Sequence, residues 1–178
     1  MVVMEWYHRF NEHDISILIA LNEKQVSFLI VGGAAVSFHG CREVHDIDDL
    51  DLLIDPTVEN ATKLVNVVTE IARCAGRPFT EIIDPANLTK PKVQFPFKFA
   101  PFYSEFLTPT SHMEFDQLMS RAHLTNVGVC NVHIVAISDI VAMKVEAVRD
   151  SQNSLEKHSN DLECLRGKLT NSPVRAHP

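Results

Sequence analysis

Phe28-Leu29-Ile30-Val31-Gly32-Gly33-Ala34-Ala35-Val36-Ser37-Phe38-His39-Gly40, followed by Asp46-Ile47-Asp48-Asp49-Leu50-Asp51-Leu52-Leu53-Ile54-Asp55, is the stretch on which the reading of this chain turns. A short apolar, β-branched run from Val26 to Val31 ends in a double glycine and reads as a buried strand. Ala34 to His39 reads as a brief helix stopped at Gly40. Glycines at such a turn let backbone N–H groups at a helix start approach a phosphate. In the second segment Leu50, Leu52 and Ile54 alternate with Asp49, Asp51, Leu53 and Asp55, which predicts a strand with its aliphatic side at 50/52/54. Asp49 and Asp51 then share the other face, an arrangement that presents paired oxygens to a hard divalent cation. Without a cation the two carboxylates repel. A phosphate cradle beside metal-binding carboxylates points to nucleotide chemistry.

Other readings of the acidic run are weaker. An EF-hand loop starting at Asp46 fails, because its sixth position is Asp51 rather than glycine and its twelfth is Thr57 rather than glutamate. Asp46 and Asp48 form a competing pair, placed by the alternation in the preceding loop. Asp55 reads as the N-cap of the next helix, with Pro56 in its first turn. His39 and His45 flank the region as candidate ligands or hydrogen-bonded neighbours. Arg42 stands between cradle and carboxylates, able to meet a triphosphate or an aspartate.

The remaining chain organises around this centre. An amphipathic helix spans Phe10 to Glu23, and a longer one Val58 to Cys74, ended by Gly76 and Pro78. Residues 79–112 are rich in Phe and Pro, with strands predicted at Val93–Phe97 and Phe102–Leu107. A short helix at Phe115–Ala122, a hairpin pairing Val127–Cys130 with Val132–Ile137, and helices at Ser138–Arg149 and Ser154–Leu169 complete the expectation. Strands and helices mix without βα alternation, so the expected class is α+β with a mixed sheet. At 178 residues a single domain is expected, with a core over about 10–137, C-terminal helices over 138–169 and a frayed tail at 170–178.

Composition bounds the partners. A formal net charge of −7 argues against the whole surface attracting nucleic acid. Lys90, Lys92 and Lys98, in one otherwise uncharged stretch, are either a local basic lane or solubilising surface lysines. Cys41, Cys74, Cys130 and Cys164 lack any CxxC pairing, which argues against a zinc site or disulfide scaffold and fits a reducing compartment. Glu5, His8 and Arg9 break the N-terminal apolar run, so no signal peptide is read there. No apolar run reaches the roughly 20 residues of a membrane span. The expected location is cytoplasmic, with no membrane partner.

These residues together resemble the nucleotidyltransferase superfamily typified by DNA polymerase β, and within it the minimal nucleotidyltransferases that include the AbiEii-like toxins of toxin–antitoxin systems. The pattern of strand, Gly32-Gly33, small-residue helix, His39-Gly40, Arg42 and then Asp-x-Asp-Leu-Leu-Ile carries the resemblance. It implies Asp49 and Asp51 as ligands of Mg²⁺, and Gly32 and Gly33 as the nucleotide cradle. Phe102-Tyr103-Ser104-Glu105-Phe106-Leu107-Thr108 is similar to the family segment bearing a third carboxylate, which implies Glu105 as the third metal ligand and catalytic general base. The family usually has aspartate there; Glu114 and Asp116 are alternatives in the next helix. Ala142-Met143-Lys144 and Lys157-His158-Ser159-Asn160-Asp161-Leu162 are similar to two C-terminal family helices. They imply Lys144, with Arg42, as nucleotide-binding residues.

Lys144 also stands out without the family. It falls within the apolar arc running from Ile140 through Val148 to Val141, so it must snorkel or meet a buried anion. Asp161 borders the apolar face of the last helix, within reach of Lys144 or Lys157. The resemblance implies transfer of an NMP from an NTP to an acceptor hydroxyl on RNA, protein or a small molecule, with an antitoxin as partner in the toxin branch. The rival expectation is a domain that has lost turnover and binds nucleotide, RNA or protein; Glu105 favours it. A metal-dependent hydrolase lacks the usual His-rich ligand set.

Overall fold

The computed structural model describes residue 6 and residues 10–43, 49–77, 83–150 and 155–171. The chain runs α1 (Glu12–Glu23), β1 (Phe28–Ile30), α2 (Gly32–Phe38), β2 (Leu50–Ile54), α3 (Val58–Cys74), a 3₁₀ turn (Pro85–Thr89), β3 (Gln94–Phe99), β4 (Phe102–Leu107), α4 (Phe115–Arg121), β5 (His123–Val127), β6 (Cys130–Ile134), α5 (Ile137–Asp150) and α6 (Leu155–Asn171). One six-stranded mixed sheet has the order β3-β4-β2-β1-β6-β5. β2 pairs antiparallel with β1 and parallel with β4, while β1 pairs parallel with β6. The expected α+β class with a mixed sheet is the architecture found. No helix among the described residues is long and apolar enough to cross a membrane.

Period-two alternation sorts the central strands into two faces. Leu50, Leu52 and Ile54 of β2, with Phe97 of β3 and Phe106 of β4, are almost fully buried and join one apolar core. α1 contributes Ile17, Leu18 and Leu21 to the same core, and α3 contributes Leu64 and Val68. The opposite faces of β2 and β4 carry Asp51, Leu53, Glu105 and Leu107, and these line a cavity roofed by α5. α5 in turn packs on α6 and touches α2. Apolar burial thus fixes the register that holds the acids together, since slipping one strand by a residue would drive its carboxylate into the core.

Local chemistry moves several boundaries from where periodicity placed them. α1 begins at Glu12 rather than Phe10, capped by Asn11 through a capping box with Asp14. α2 begins at Gly32 itself, two residues before Ala34, because Gly32 takes φ +59° and turns the chain directly into helix. Asp55 is not the N-cap of α3; Thr57 is, its hydroxyl accepting from Asn60 N–H, while Asp55 accepts from the Thr57 N–H and hydroxyl. The last hairpin turns at Gly128-Val129 and pairs Val127 with Cys130, so those two residues face each other instead of sharing a strand. The 3₁₀ turn, capped by Asp84, lies in a segment where no element was expected.

The reading against disulfides is corrected. Cys41, after α2, and Cys164, on α6, are joined with their Cα atoms 5.6 Å apart, across a sequence separation that CxxC spacing rules do not inspect. Cys74 and Cys130 are free. Thiol titration of protein denatured without reductant is therefore expected to find two reactive thiols, rising to four after reduction. Four thiols before reduction would remove the bond.

Candidate active site

Three elements bring the chemistry together. β2 delivers Asp51, the parallel strand β4 sets Glu105 directly beside it in the ladder, and the β1–α2 turn places Gly32 over Asp51. A Cβ built on Gly32 would overlap the Asp51 carboxylate, so only glycine allows this approach. All three residues line a cavity of about 530 Å³. Its opposite side is α5, through Ile140, Met143 and Lys144, with His158 from α6. The far end is formed by Val93, Gln94, Leu107, Thr110 and Met113. Thr110 Oγ1 is buried there with no hydrogen-bond partner among the described residues.

The electrostatics are those of crowded anions. The Asp51 carboxyl is pushed up to about 6, first by burial and then by Glu105 and Asp49, against weaker attraction from Lys144 and Lys98. A carboxylate cluster that is costly to ionise has the donor chemistry of a site for a hard divalent cation, which takes oxygen ligands. Among the described residues no three His, Cys, Asp or Glu side chains already converge as a metal cage. Mg²⁺ does not require one, since it is commonly held by one or two carboxylates together with substrate phosphates and water. The donor set therefore fits the ion.

Asp49 lies immediately before β2, two residues from Asp51 and outside the cavity lining, and its Oδ2 accepts from Lys98 Nζ at 2.7 Å. Gly33 and Arg42 also lie outside the lining. The Arg42 guanidinium packs over Gly33, where an added Cβ would meet Nη1 at 2.6 Å, and it is committed to Asp161 through Nε (3.2 Å) and Nη2. Lys144 does line the cavity, and its ammonium is 2.8 Å from Asp161 Oδ2 and 3.4 Å from His158 Nδ1. The buried anion that a lysine on this apolar arc requires is thus Asp161. Burial presses the Lys144 ammonium downward, and the Asp161 contact only partly restores it. His158 is lowered by burial and by the neighbouring Lys144 charge, which favours neutral imidazole accepting from the ammonium.

The flanking candidates separate. His39 bonds through Nε2 to the Val135 carbonyl at 2.9 Å and is lowered mainly by burial, so it serves the fold rather than the cavity. Asp46, Asp48 and His45 lie outside the described residues. Glu114 is the N-cap position of α4 and Asp116 is in its first turn; neither lines the cavity. Sequence reasoning left Lys98 either in a local basic lane or among surface lysines and missed its contact with Asp49. The signal was available in the alternation of Phe95, Phe97 and Phe99 with Gln94, Pro96 and Lys98. That pattern puts Lys98 on the acid-bearing face once the tight β3–β4 hairpin is recognised.

No known family profile matches the chain, and no curated protein matches it in sequence. Solved structures do match. An antigenic nucleotidyltransferase-like protein from Paracoccidioides brasiliensis superposes with a TM-score of 0.51 at 13% identity, over 85% of this chain and 73% of that one. The solution structure of the antibiotic-resistance factor ANT(2'')-Ia superposes with a TM-score of 0.52 at 15% identity, over 88% of each chain. Identities this low speak to architecture alone, and the architecture of this chain is the nucleotidyltransferase-like fold.

Proposed function

We propose that this chain is a nucleotidyltransferase that moves an NMP from an NTP to an acceptor hydroxyl with the aid of Mg²⁺. The observation that carries the reading is the Asp51–Glu105 pair, set side by side on adjacent strands at a cavity that Gly32 and Lys144 also line. Asp49, Asp51 and Glu105 would hold the ion, which supplies neutralisation of the triphosphate and of the departing pyrophosphate. Glu105 would accept the proton of the attacking hydroxyl at its carboxylate. Gly32 and Gly33 would offer backbone N–H groups to the phosphates. Lys144 would add charge from the α5 side, and Arg42 would act through Asp161, which it shares with Lys144. The far end, lined by Val93, Leu107 and Met113 with Gln94 and the Thr110 hydroxyl, which has no partner among the described residues, has the chemistry to take a flat heteroaromatic base.

The acceptor is chosen by experiment: the protein is incubated with each α-labelled NTP, Mg²⁺ and a cell extract, and the labelled product is identified. Labelled RNA or protein would support the toxin-type reading with its antitoxin partner. A labelled small molecule would place the chain nearer the chemistry of resistance factors. Absence of label from every NTP, with active protein folded, would refute transfer. The Lys98–Asp49 ion pair and the glutamate at the third acid position favour a second reading, a domain that binds nucleotide without turnover. In that case Mg²⁺ with ATP raises the melting temperature while no pyrophosphate appears.

Lys144→Met tests the cavity wall. Asp161 keeps its two contacts to Arg42 in the variant, so stability is expected to change little. ATP affinity is expected to fall by roughly 1.5–3 kcal/mol, the range for a charged hydrogen bond. Calorimetry showing unchanged affinity would confine Lys144 to its structural pairing with Asp161.

A further inference from the structure

The β3–β4 hairpin carries a cation into the acid cluster. β4 and β3 run antiparallel with Pro96 opposite Glu105 and Lys98 opposite Tyr103. Phe97 and Phe106 fill the core on one face, which forces Lys98 onto the face of Tyr103, Glu105 and, two strands away, Asp49 and Asp51. From there the Lys98 ammonium reaches Asp49 Oδ2 at 2.7 Å and Glu105 Oε1 at 4.0 Å. It bridges the two carboxylates that flank Asp51. The Asp51 carboxylate is turned toward Gly32 instead. Three carboxylates and one ammonium leave a formal charge of −2 at the cluster, which a single divalent ion would neutralise.

We propose that Lys98 is a built-in counter-ion standing in the metal position between Asp49 and Glu105, so that a divalent cation enters only by displacing it. The proposal rests on the reading of Asp49, Asp51 and Glu105 as metal ligands. An ammonium and a divalent ion cannot share the same oxygens at contact distance, because their charges repel and each carboxylate oxygen has few lone-pair sites. The consequence is weak metal binding by the free protein. Metal is taken up together with a triphosphate, whose oxygens complete the coordination and add the negative charge that offsets Lys98. The lysine therefore couples metal occupancy to substrate, and the acids are not left charged and bare between turnovers.

The test uses the full chain and Mn²⁺ alone, with free Mn²⁺ read by electron paramagnetic resonance. Lys98→Met keeps the stem and removes the charge; Lys98→Arg keeps the charge. Lys98→Met is expected to bind Mn²⁺ roughly tenfold tighter than the wild type, or more, and Lys98→Arg to match the wild type. A melting curve confirms folding, and Lys98→Ala gives the same comparison if methionine disturbs the strand. Equal Mn²⁺ affinity in the wild type and the charge-removing variants overturns the displacement while leaving the metal reading intact. Tightening in Lys98→Arg also overturns it, since the effect would then not follow charge. No Mn²⁺ bound by any variant overturns both the displacement and the metal reading.

Discussion

Asp161→Ala is expected to destabilise the fold by about 3–5 kcal/mol, the cost of removing one member of a buried ion network. The Asp161 side chain is 6% exposed and is shared by Arg42 and Lys144, whose side chains are 9% and 8% exposed. Taking the carboxylate away strands two cations in a medium that cannot solvate them. Lys144, already pressed down by burial, can shed its proton and limit the loss. Arg42 cannot, because guanidinium stays protonated in proteins. Asp161→Ala should therefore cost more than Lys144→Met, and the double variant Asp161→Ala/Arg42→Met should recover part of the loss. A domain of this size has roughly 5–15 kcal/mol in total, so the single change should be evident as a lower urea midpoint at unchanged slope. A loss below about 1 kcal/mol would mean that the network is solvated and that the three residues are not coupled. The network also has a positional role. It joins the segment after α2, helix α5 and helix α6 at one carboxylate, beside the Cys41–Cys164 link. Weakening it would loosen His158 and Lys144 at the cavity before it unfolds the sheet.

The parts of this molecule that were legible in its sequence are those governed by short-range periodicity. Alternation at Leu50, Leu52 and Ile54 was enough to put Asp51 on the face away from the core, with Asp49 just before the strand, and the strand Phe102–Leu107 has the observed bounds. The resemblance supplied what periodicity cannot, namely that Glu105 belongs near those aspartates. The ladder places it beside Asp51, although β2 and β4 are separated in sequence by a helix, a 3₁₀ turn and another strand. The parts that were not legible depend on tertiary proximity between distant residues. Nothing local in Cys41 or Cys164 announces a partner 123 residues away. Lys98 was not tied to the acids because the strand bounds were set one to two residues early, at Val93–Phe97 rather than Gln94–Phe99, which left Lys98 outside the alternation. Arg42, lying between the cradle and the acids, was read as meeting a triphosphate or an aspartate, and the structure pairs it with an aspartate. Its real neighbour, Asp161, comes from the far end of the chain.

Asp51→Asn is expected to yield a protein that is more stable than the wild type and inactive in transfer. In the metal-free fold the Asp51 carboxyl titrates near pH 6, raised from the ordinary 3.8 by burial and by Glu105 and Asp49. The folded state therefore holds a proton, between about pH 4 and pH 6, that the unfolded state has already released. Stability from this residue is fully present below the unfolded value, is lost as pH rises through that window, and is level above it. The displacement of roughly two units corresponds to a penalty of about 3 kcal/mol at neutral pH. Asparagine, of the same shape and without charge, removes the penalty. The variant should gain about 1–3 kcal/mol at pH 7–8 and converge on the wild type below pH 4, as read by denaturant titration across that range. Mg²⁺ with ATP should then raise the melting temperature of the wild type far more than that of the variant, because ligand binding stabilises only a fold that can hold it. A residue kept for packing would behave in the opposite way, losing stability on substitution with no change in nucleotide response. Full transfer activity in Asp51→Asn would remove Asp51 from the metal site. Loss of activity confined to Asp46 and Asp48 variants would move the metal pair to that earlier register.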